Sequence, residues 1–108
     1  MFARVTELVG GENHLVEADL QHFKADILPD VEALPGMHGG LLLVDESDGR
    51  VLCVVFYDDE SSLAESRYEA GCLRELVLQR MNLRQPPRVH EYEVALAHLG
   101  EPATVVTG

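Results

Sequence analysis

The sequence predicts an α+β fold: a four-stranded antiparallel sheet with two helices on one face, in the chain order β-α-β-β-α-β. Four apolar segments of strand length, two intervening segments with apolar residues at helical spacing, and a hairpin turn between the central strands predict this arrangement. The length of 108 residues suits one hydrophobic core of this kind. We assign residues 1–97 to the domain and residues 98–108 to a C-terminal tail.

The first strand and first helix are predicted in the N-terminal third. Residues 2–8 form an apolar segment of strand length that stops at Gly10-Gly11. Asn13 can cap the helix that follows. The apolar residues of this helix recur every three or four positions and are Val16, Leu20, Phe23, Ile27, Val31 and Leu34. Pro29 lies inside this pattern and removes a backbone donor, so we expect a kink or a break there.

The second and third strands are predicted at residues 37–45 and 50–58, joined by a turn that ends in Asp48-Gly49. Asp-Gly between apolar segments is a strong hairpin signal, so these strands should be antiparallel neighbours. Gly39-Gly40 indicates a bulge, or a close backbone approach, in the second strand.

Both central strands are apolar at consecutive positions, over residues 41–44 and 51–57. An antiparallel sheet with one solvated face alternates apolar and polar residues instead. Leaving several Leu and Val side chains in water would forfeit several kcal/mol, at roughly 25 cal/mol per Å² of apolar surface. We therefore expect a homodimer in which a second copy of the chain covers the open sheet face.

A second helix is predicted over residues 60–80, capped by Asp59 or Ser62, with Ser62 and Glu65 at capping-box spacing. Its apolar stripe consists of Leu63, Ala70, Leu73, Val77 and Met81. The fourth strand is predicted over residues 89–97, where apolar and polar residues alternate weakly.

The net charge argues against several classes of partner. Nineteen acidic and eight basic residues give a formal charge of −11, and Lys24 is the sole lysine. Nucleic acids and anionic membranes are bound largely through Lys and Arg, so neither partner is expected. The sequence has no long apolar run and no leader-like start, and we expect a cytoplasmic protein. Cys53 and Cys72 lack metal-ligand spacing and are expected to be reduced core thiols.

Five features of the sequence carry a resemblance to a known family. They are the opening Phe2-Ala3-Arg4-Val5-Thr6, Leu28-Pro29 inside the first helix, Pro35-Gly36-Met37 before the second strand, the turn over residues 45–50, and Tyr57-Asp58-Asp59-Glu60-Ser61-Ser62-Leu63 at the start of the second helix. In this order, residues 1–96 resemble the antibiotic biosynthesis monooxygenase-like proteins. The resemblance implies a ferredoxin-like domain that pairs sheet to sheet into a dimeric α/β barrel. It also implies a small pocket between helices and sheet in each subunit.

The family is functionally mixed, so the resemblance implies no single reaction. It includes cofactor-independent oxygenases of quinols and polyketides, haem-degrading oxygenases, and domains with no known activity. The haem-degrading branch has an Asn on strand one, a Trp near the end of strand three and a His on helix two. This sequence has Arg4 and Thr6 on strand one, Tyr57 at the strand-three position, no His in helix two and no Trp. Haem degradation is therefore not expected, and no cofactor is predicted.

Arg67 and Arg74 are the main candidates for a binding site. At 100° per residue both project into the apolar stripe of the second helix, where an unpaired guanidinium is costly. In one interpretation they reach a pocket and bind an anionic or enolate-like ligand, with Ser66 as a hydroxyl donor. In the other, their stems cross the apolar face and their charges pair with Glu91, Glu93 or a carboxylate of the partner subunit.

Tyr57, His90 and Tyr92 are the other candidates. Tyr57 ends the third strand, where it extends the core or forms a pocket wall. His90 and Tyr92 are two positions apart on the fourth strand and share a face. On the helix side they would serve in proton transfer within the pocket, and on the other side they would lie in the dimer interface. His22 lies one helical turn from two aspartates, which we interpret as a solvated charge cluster rather than a metal site.

Two functions are compatible with these patterns. The first is a small-molecule-binding or non-catalytic dimerisation module whose pocket binds a small apolar or phenolic ligand or is filled by its own side chains. The second is a cofactor-independent monooxygenase, or a related enzyme, acting on a phenolic, quinol or polyketide-like substrate, with Arg67 or Arg74 fixing an oxyanion. The first is favoured because the polar candidates are few and form no recognisable triad.

Overall fold

The computed structural model describes residues 1–10, 17–79 and 83–98. The strands are β1 (Phe2–Val9), β2 (Met37–Asp45), β3 (Arg50–Tyr57) and β4 (Arg88–Glu93). The helices are α1 (Glu17–His22), α2 (Leu28–Glu32), α3 (Glu60–Glu65) and α4 (Arg67–Leu78), with a π-helical segment, Phe23–Ile27, joining α1 to α2. The predicted β-α-β-β-α-β order is confirmed, with each predicted helix divided in two.

The strands form an antiparallel sheet in the order β2-β3-β1-β4, which is the ferredoxin-like arrangement expected from the sequence. Asp48-Gly49 makes the predicted hairpin turn, and Gly49 takes a φ of 65° that favours glycine. The pairing of β2 with β3 shifts register between Met37 and Gly39, so the expected irregularity in the second strand is also confirmed.

The interruption of the first helix lies next to Pro29, as predicted. In the π-helical segment the N–H of Leu28 donates to the carbonyl of Phe23, and Pro29 then lies in the first turn of α2. A proline is tolerated there because the first N–H groups of a helix have no intrahelical acceptor. Asn13, Val16 and the predicted start of this helix lie outside the described residues.

The prediction of one continuous helix over residues 60–80 is wrong. The helix is interrupted at Ser66 (φ −82°, ψ −7°), whose hydroxyl donates to the carbonyl of Leu63 at 2.9 Å. Side chains of this type compete with helical backbone hydrogen bonds. Asp59 is the cap, since its carboxylate accepts from the Ser62 N–H at 2.8 Å. Glu65 contacts Ser61 rather than Ser62, so the capping box is not formed.

The fourth strand is shorter than predicted and ends at Glu93. Its neighbour in the sheet is β1, and Phe2 at the start of β1 pairs with Glu93. The N–H of Val94 still donates to the carbonyl of Met1 at 2.9 Å. The end of β4 therefore coincides with the start of β1. Most of the predicted tail, residues 99–108, lies outside the described residues.

The two sheet faces differ in what covers them. The helices cover the face that carries Tyr57, and the buried core there consists of Ile27, Val31, Leu34, Tyr57 and Leu63. We call the opposite surface the open face, and its side chains include Val5, Leu41, Leu43, Leu52, Val54, Phe56, His90 and Tyr92. Leu41 and Leu43 are 46% and 48% exposed. Both faces are therefore apolar, as the sequence predicts.

Candidate functional site

A cavity of about 100 Å³ lies between the helices and the sheet. Its wall is almost wholly apolar and is formed by Leu8, Leu20, Phe23, Ile27, Val31, Leu34, Leu42, Val51, Val55, Ala70, Leu73 and Val77. Polar side chains also reach it, namely Arg4, Thr6, Cys53, Tyr57 and Arg74. Ligand pockets for drug-sized molecules are usually several times larger, at roughly 300 Å³ or more. This cavity can therefore enclose a small apolar group.

Strand register places the polar side chains of the cavity floor. Thr6 on β1 pairs with Cys53 on β3, and Cys53 pairs with Leu42 on β2, so these side chains form one row across the sheet. Arg4 and Val55 form the next row, two residues away along each strand. Arg74 reaches the cavity from helix α4. The floor thus has one polar end at Arg4 and a second polar region around Thr6 and Cys53.

Arg4 is buried, with 4% of its surface exposed, and both of its terminal nitrogens donate two hydrogen bonds. One nitrogen, Nη1, donates to the Tyr57 hydroxyl at 2.7 Å and to the Ser66 hydroxyl at 3.3 Å. The other, Nη2, donates to the Leu63 carbonyl at 2.9 Å and to Glu91 at 3.1 Å. The guanidinium carbon also lies 5.2 Å from the centre of the Tyr57 ring. The hydrogens of both terminal nitrogens are therefore used by the protein itself.

Glu91 compensates the buried charge of Arg4. Its side chain is 27% exposed and is also bound by Arg67, whose Nη2 donates to Glu91 Oε1 at 2.7 Å. The hydrogen bond from Arg67, followed by that from Arg4, holds the pKa of Glu91 below its ordinary value, against the opposing effect of burial. The carboxylate is thus ionised at neutral pH and is shared by two arginines.

Three predicted site residues take different places around this network. Ser66 and Tyr57 are fully buried, and both accept hydrogen bonds from Arg4. Tyr57 also forms part of the cavity wall, as expected from its place at the end of the third strand. The Arg67 side chain is 58% exposed and pairs with Glu91 instead of lining the cavity. Its arrangement agrees with the second interpretation made from the sequence, that of an ion pair.

Arg74 differs from Arg67 in its position. It lines the cavity, and among the described side chains no carboxylate pairs with it. Its Nη1 lies 4.0 Å from the position that a Cβ on Gly71 would occupy, so the guanidinium folds back along α4. Arg67 and Arg74, which share one helix face in the sequence, therefore have different environments.

His90 and Tyr92 lie on the open face of the sheet, away from the cavity. Tyr92 pairs with Ala3 and His90 with Val5, residues that alternate with the cavity-lining Arg4. Their ring centres are 6.2 Å apart, and Tyr92 is 53% exposed. The structure does not bring them together with Arg74 or Tyr57, so proton transfer within the cavity is not a role that their positions allow.

Comparison with known proteins gives relatives without an established function. No family model matches the chain. Proteins MT2634 and Rv2557 from two strains of Mycobacterium tuberculosis, both uncharacterised, are 29% identical over 90 residues, or 83% of this chain. The chain spans only 40% of the length of these relatives.

Solved structures resemble the chain over nearly its whole length. The monooxygenase ActVA-Orf6 of Streptomyces coelicolor, in complex with nanaomycin D, has a TM-score of 0.68 at 14% identity and covers 93% of this chain and 92% of its own. SnoaB of Streptomyces nogalater, a cofactor-independent oxygenase, has a TM-score of 0.64 at 14% identity and covers 93% and 97%. The chain has the fold of the antibiotic biosynthesis monooxygenase-like proteins. The resemblance inferred from the sequence is confirmed at this level.

Within this monooxygenase-like fold, Arg4 is the site residue that sequence reasoning missed. In the sequence, Arg4 stands in the opening segment that carries the family resemblance and departs from the haem-degrading pattern, but it is not among the predicted site residues. The sequence pattern that could have indicated Arg4 is a charged residue on the same strand face as the uncharged Thr6 and Leu8. A buried guanidinium needs partners, and Glu91 was proposed as a partner only for the helix arginines.

Cys53 is a neutral thiol in the cavity floor. Burial raises its pKa, and the positive charge of Arg74 opposes this effect only in part. Cys53 and Cys72 are both free, and Cys72 is exposed rather than buried as expected from the sequence. Within residues 1–10, 17–79 and 83–98, no group of His, Cys, Asp and Glu side chains could hold a metal ion.

Proposed function

We propose that this protein is a small-molecule-binding module whose ligand occupies the cavity between helices and sheet. The observation that supports it most is the apolar wall of the cavity, which closes over a floor containing Thr6 and Cys53. Binding of a small ring or short alkyl chain in an apolar cavity of this size is favourable, because the side chains that line the cavity gain van der Waals contacts when it is filled. The ligand class is therefore a small apolar molecule.

The polar groups next to the cavity favour binding over catalysis. Arg4 uses the hydrogens of both terminal nitrogens in bonds to the protein, and Cys53 is a neutral thiol. A nucleophile or general base needs a free lone pair close to the reacting atom. Among the described residues that line the cavity, there is no His, Asp or Glu.

Toluene is a suitable probe for this cavity. Titration followed by NMR should shift the methyl signals of Val55, Leu73 and Val77 saturably. Ala70→Leu adds three carbons at the cavity wall and should abolish these shifts, because it occupies the space of the ligand. Ala64→Leu makes the same change at an exposed site on α3 and should leave binding unchanged. Absence of saturable shifts in the unmodified protein would contradict the proposed function.

The proposed functional unit is a cytoplasmic homodimer joined through the open face. Leu41, Leu43 and Tyr92 are each about half exposed there, which is costly for a monomer. A two-fold axis would place this surface against its own copy. Leu43→Arg should convert a dimer to a monomer in sedimentation experiments at micromolar concentration. Leu76→Arg is the matched control, since Leu76 is also 48% exposed but lies on α4. A monomeric unmodified protein would contradict this proposal.

A second candidate function is cofactor-independent oxygenation of a phenolic, quinol or polyketide-like substrate. The observation that favours it is Tyr57, which lines the cavity and whose hydroxyl accepts from Arg4, in a fold shared with the oxygenase SnoaB. Oxygen uptake with a small hydroquinone tests it directly. Uptake above the uncatalysed rate that is lost in Tyr57→Phe would support an enzyme, and toluene binding without any oxygen uptake would favour the binding module.

A further inference from the structure

Arg74 is the charged group of the cavity that the described part of the protein leaves without an ion pair. Arg4 and Arg67 share the carboxylate of Glu91. Arg74 is half-buried and lines the same cavity, but no described carboxylate or hydrogen-bond acceptor contacts it. Among the described residues, the cavity therefore has one positive charge without an ion-pair partner, on its helix side.

The surroundings of Arg74 make an anionic partner favourable. A guanidinium beside an apolar wall has lost part of its hydration, and this cost is offset when a carboxylate accepts two parallel hydrogen bonds from it. The long-range field does not supply this partner, because the chain has a net charge of −11 and repels anions. Any preference for a negative ligand must therefore come from direct contact with Arg74.

The floor beneath supplies a second polar contact. Thr6 lines the cavity, and its hydroxyl has no hydrogen-bond partner among the described residues. The neighbouring Cys53 lies within the electrostatic influence of Arg74. Arg74, Thr6 and Cys53 thus line the same cavity, with Thr6 and Cys53 in one row of the sheet and Arg4 in the next.

Resting on the proposed function, we infer that the ligand of this cavity is a small organic carboxylate whose charged group is bound by Arg74. Its apolar body extends along the apolar wall, and Thr6 donates to the carboxylate or to an atom next to it. A dry cavity of about 150 Å³ holds a benzene ring, and the cavity here is about 100 Å³. The enclosed part of the body is therefore no larger than one ring or a short alkyl chain, and a ring fits only with a small outward movement of the wall side chains.

Benzoate, benzamide and toluene separate charge from shape. Benzoate and benzamide have nearly the same shape, so their difference in affinity measures the contribution of charge. Calorimetric titration should show benzoate binding about tenfold or more tightly than benzamide. Arg74→Met removes the charge but leaves an apolar side chain in its place. It should remove the preference for benzoate while toluene affinity stays within about twofold. Arg74→Lys should retain part of the preference, since it keeps the charge but not the two-pronged geometry. Lys24→Met removes one exposed positive charge outside the cavity and should change nothing.

The outcomes distinguish this inference from the function on which it rests. If toluene binds and benzoate binds no better than benzamide, the inference is wrong and the apolar binding module stands. If benzoate is preferred but Arg74→Met retains the preference, another cation binds the carboxylate and the inference is equally wrong. If none of the three compounds binds, the proposed function fails and the inference fails with it.

Discussion

Replacing Arg4 by Met is the most informative perturbation of the network beneath the helices. Met has no charge and matches the aliphatic stem of Arg, so the change removes the hydrogen bonds and leaves space only where the guanidinium stood. Two partners keep a second bond: the Leu63 carbonyl still accepts from Ser66, and Glu91 still pairs with Arg67. The Tyr57 hydroxyl, which is fully buried, loses its bond from Arg4.

The expected loss of stability follows from which partners of Arg4 keep a second hydrogen bond. A buried hydroxyl left without its partner costs about 1–3 kcal/mol, and a lost hydrogen bond from a charged group about 1.5–3 kcal/mol. Apolar contacts of the Met side chain offset part of this loss. We therefore expect Arg4→Met to lower the free energy of unfolding by about 2–4 kcal/mol.

A double-mutant cycle with Tyr57→Phe tests the assignment. In the double variant no tyrosine hydroxyl is left unpaired, so its cost should be about 1–2 kcal/mol less than the sum of the two single changes. Urea unfolding at one fixed protein concentration measures each value, since a dimer would make stability depend on concentration. Additive single changes, or a loss below about 1 kcal/mol in Arg4→Met, would refute the network as described.

Three further predictions concern other parts of the structure. The pKa of Glu91 in the folded protein lies below its ordinary value of 4.5, so the stabilisation from its ion pairs is complete above pH 4.5 and is lost as pH falls through the folded pKa. The free energy of unfolding of Glu91→Gln should therefore depend less on pH in this range. Gly36→Ala should lower the free energy of unfolding by about 2 kcal/mol or more, because φ is +62° and a Cβ would overlap the Ser62 side chain. Gly39→Ala is the control, since a Cβ there meets open space. Equal thermal stability of the two variants would contradict this prediction. Iodoacetamide should alkylate the exposed Cys72 well before the half-buried Cys53, whose pKa is raised, as peptide mass spectrometry would show. Equal rates would mean that the cavity floor is open to solvent.

Local patterns in the sequence predicted the features that local chemistry determines. Asp48-Gly49 fixed the hairpin, Pro29 marked the interruption of the first helix, and apolar residues on consecutive positions predicted two apolar sheet faces. The end of β4 was not predictable in this way, because it depends on where β1 begins. The break at Ser66 likewise depends on hydrogen bonds to Leu63 and to a strand far away in the sequence.

The candidate site was predicted only in part, for a related physical reason. Helical spacing placed Arg67 and Arg74 on one face. It could not show that Glu91 pairs with Arg67 and not with Arg74. Arg4 escaped notice because its side-chain partners Tyr57 and Glu91 are 53 and 87 positions away. Alternation placed His90 and Tyr92 together, and the register of β4 against β1 then decided which face they occupy.

A crystal structure of the protein soaked with toluene tests the central claim most directly, because it shows both the cavity and its occupant. We predict electron density for one toluene ring against Thr6 and Cys53, enclosed by Leu73 and Val77 of helix α4. The Arg4 hydrogen bonds to Tyr57 and Glu91 should be unchanged. A structure in which side chains of α4 fill this space, with toluene absent or bound elsewhere, would contradict the account.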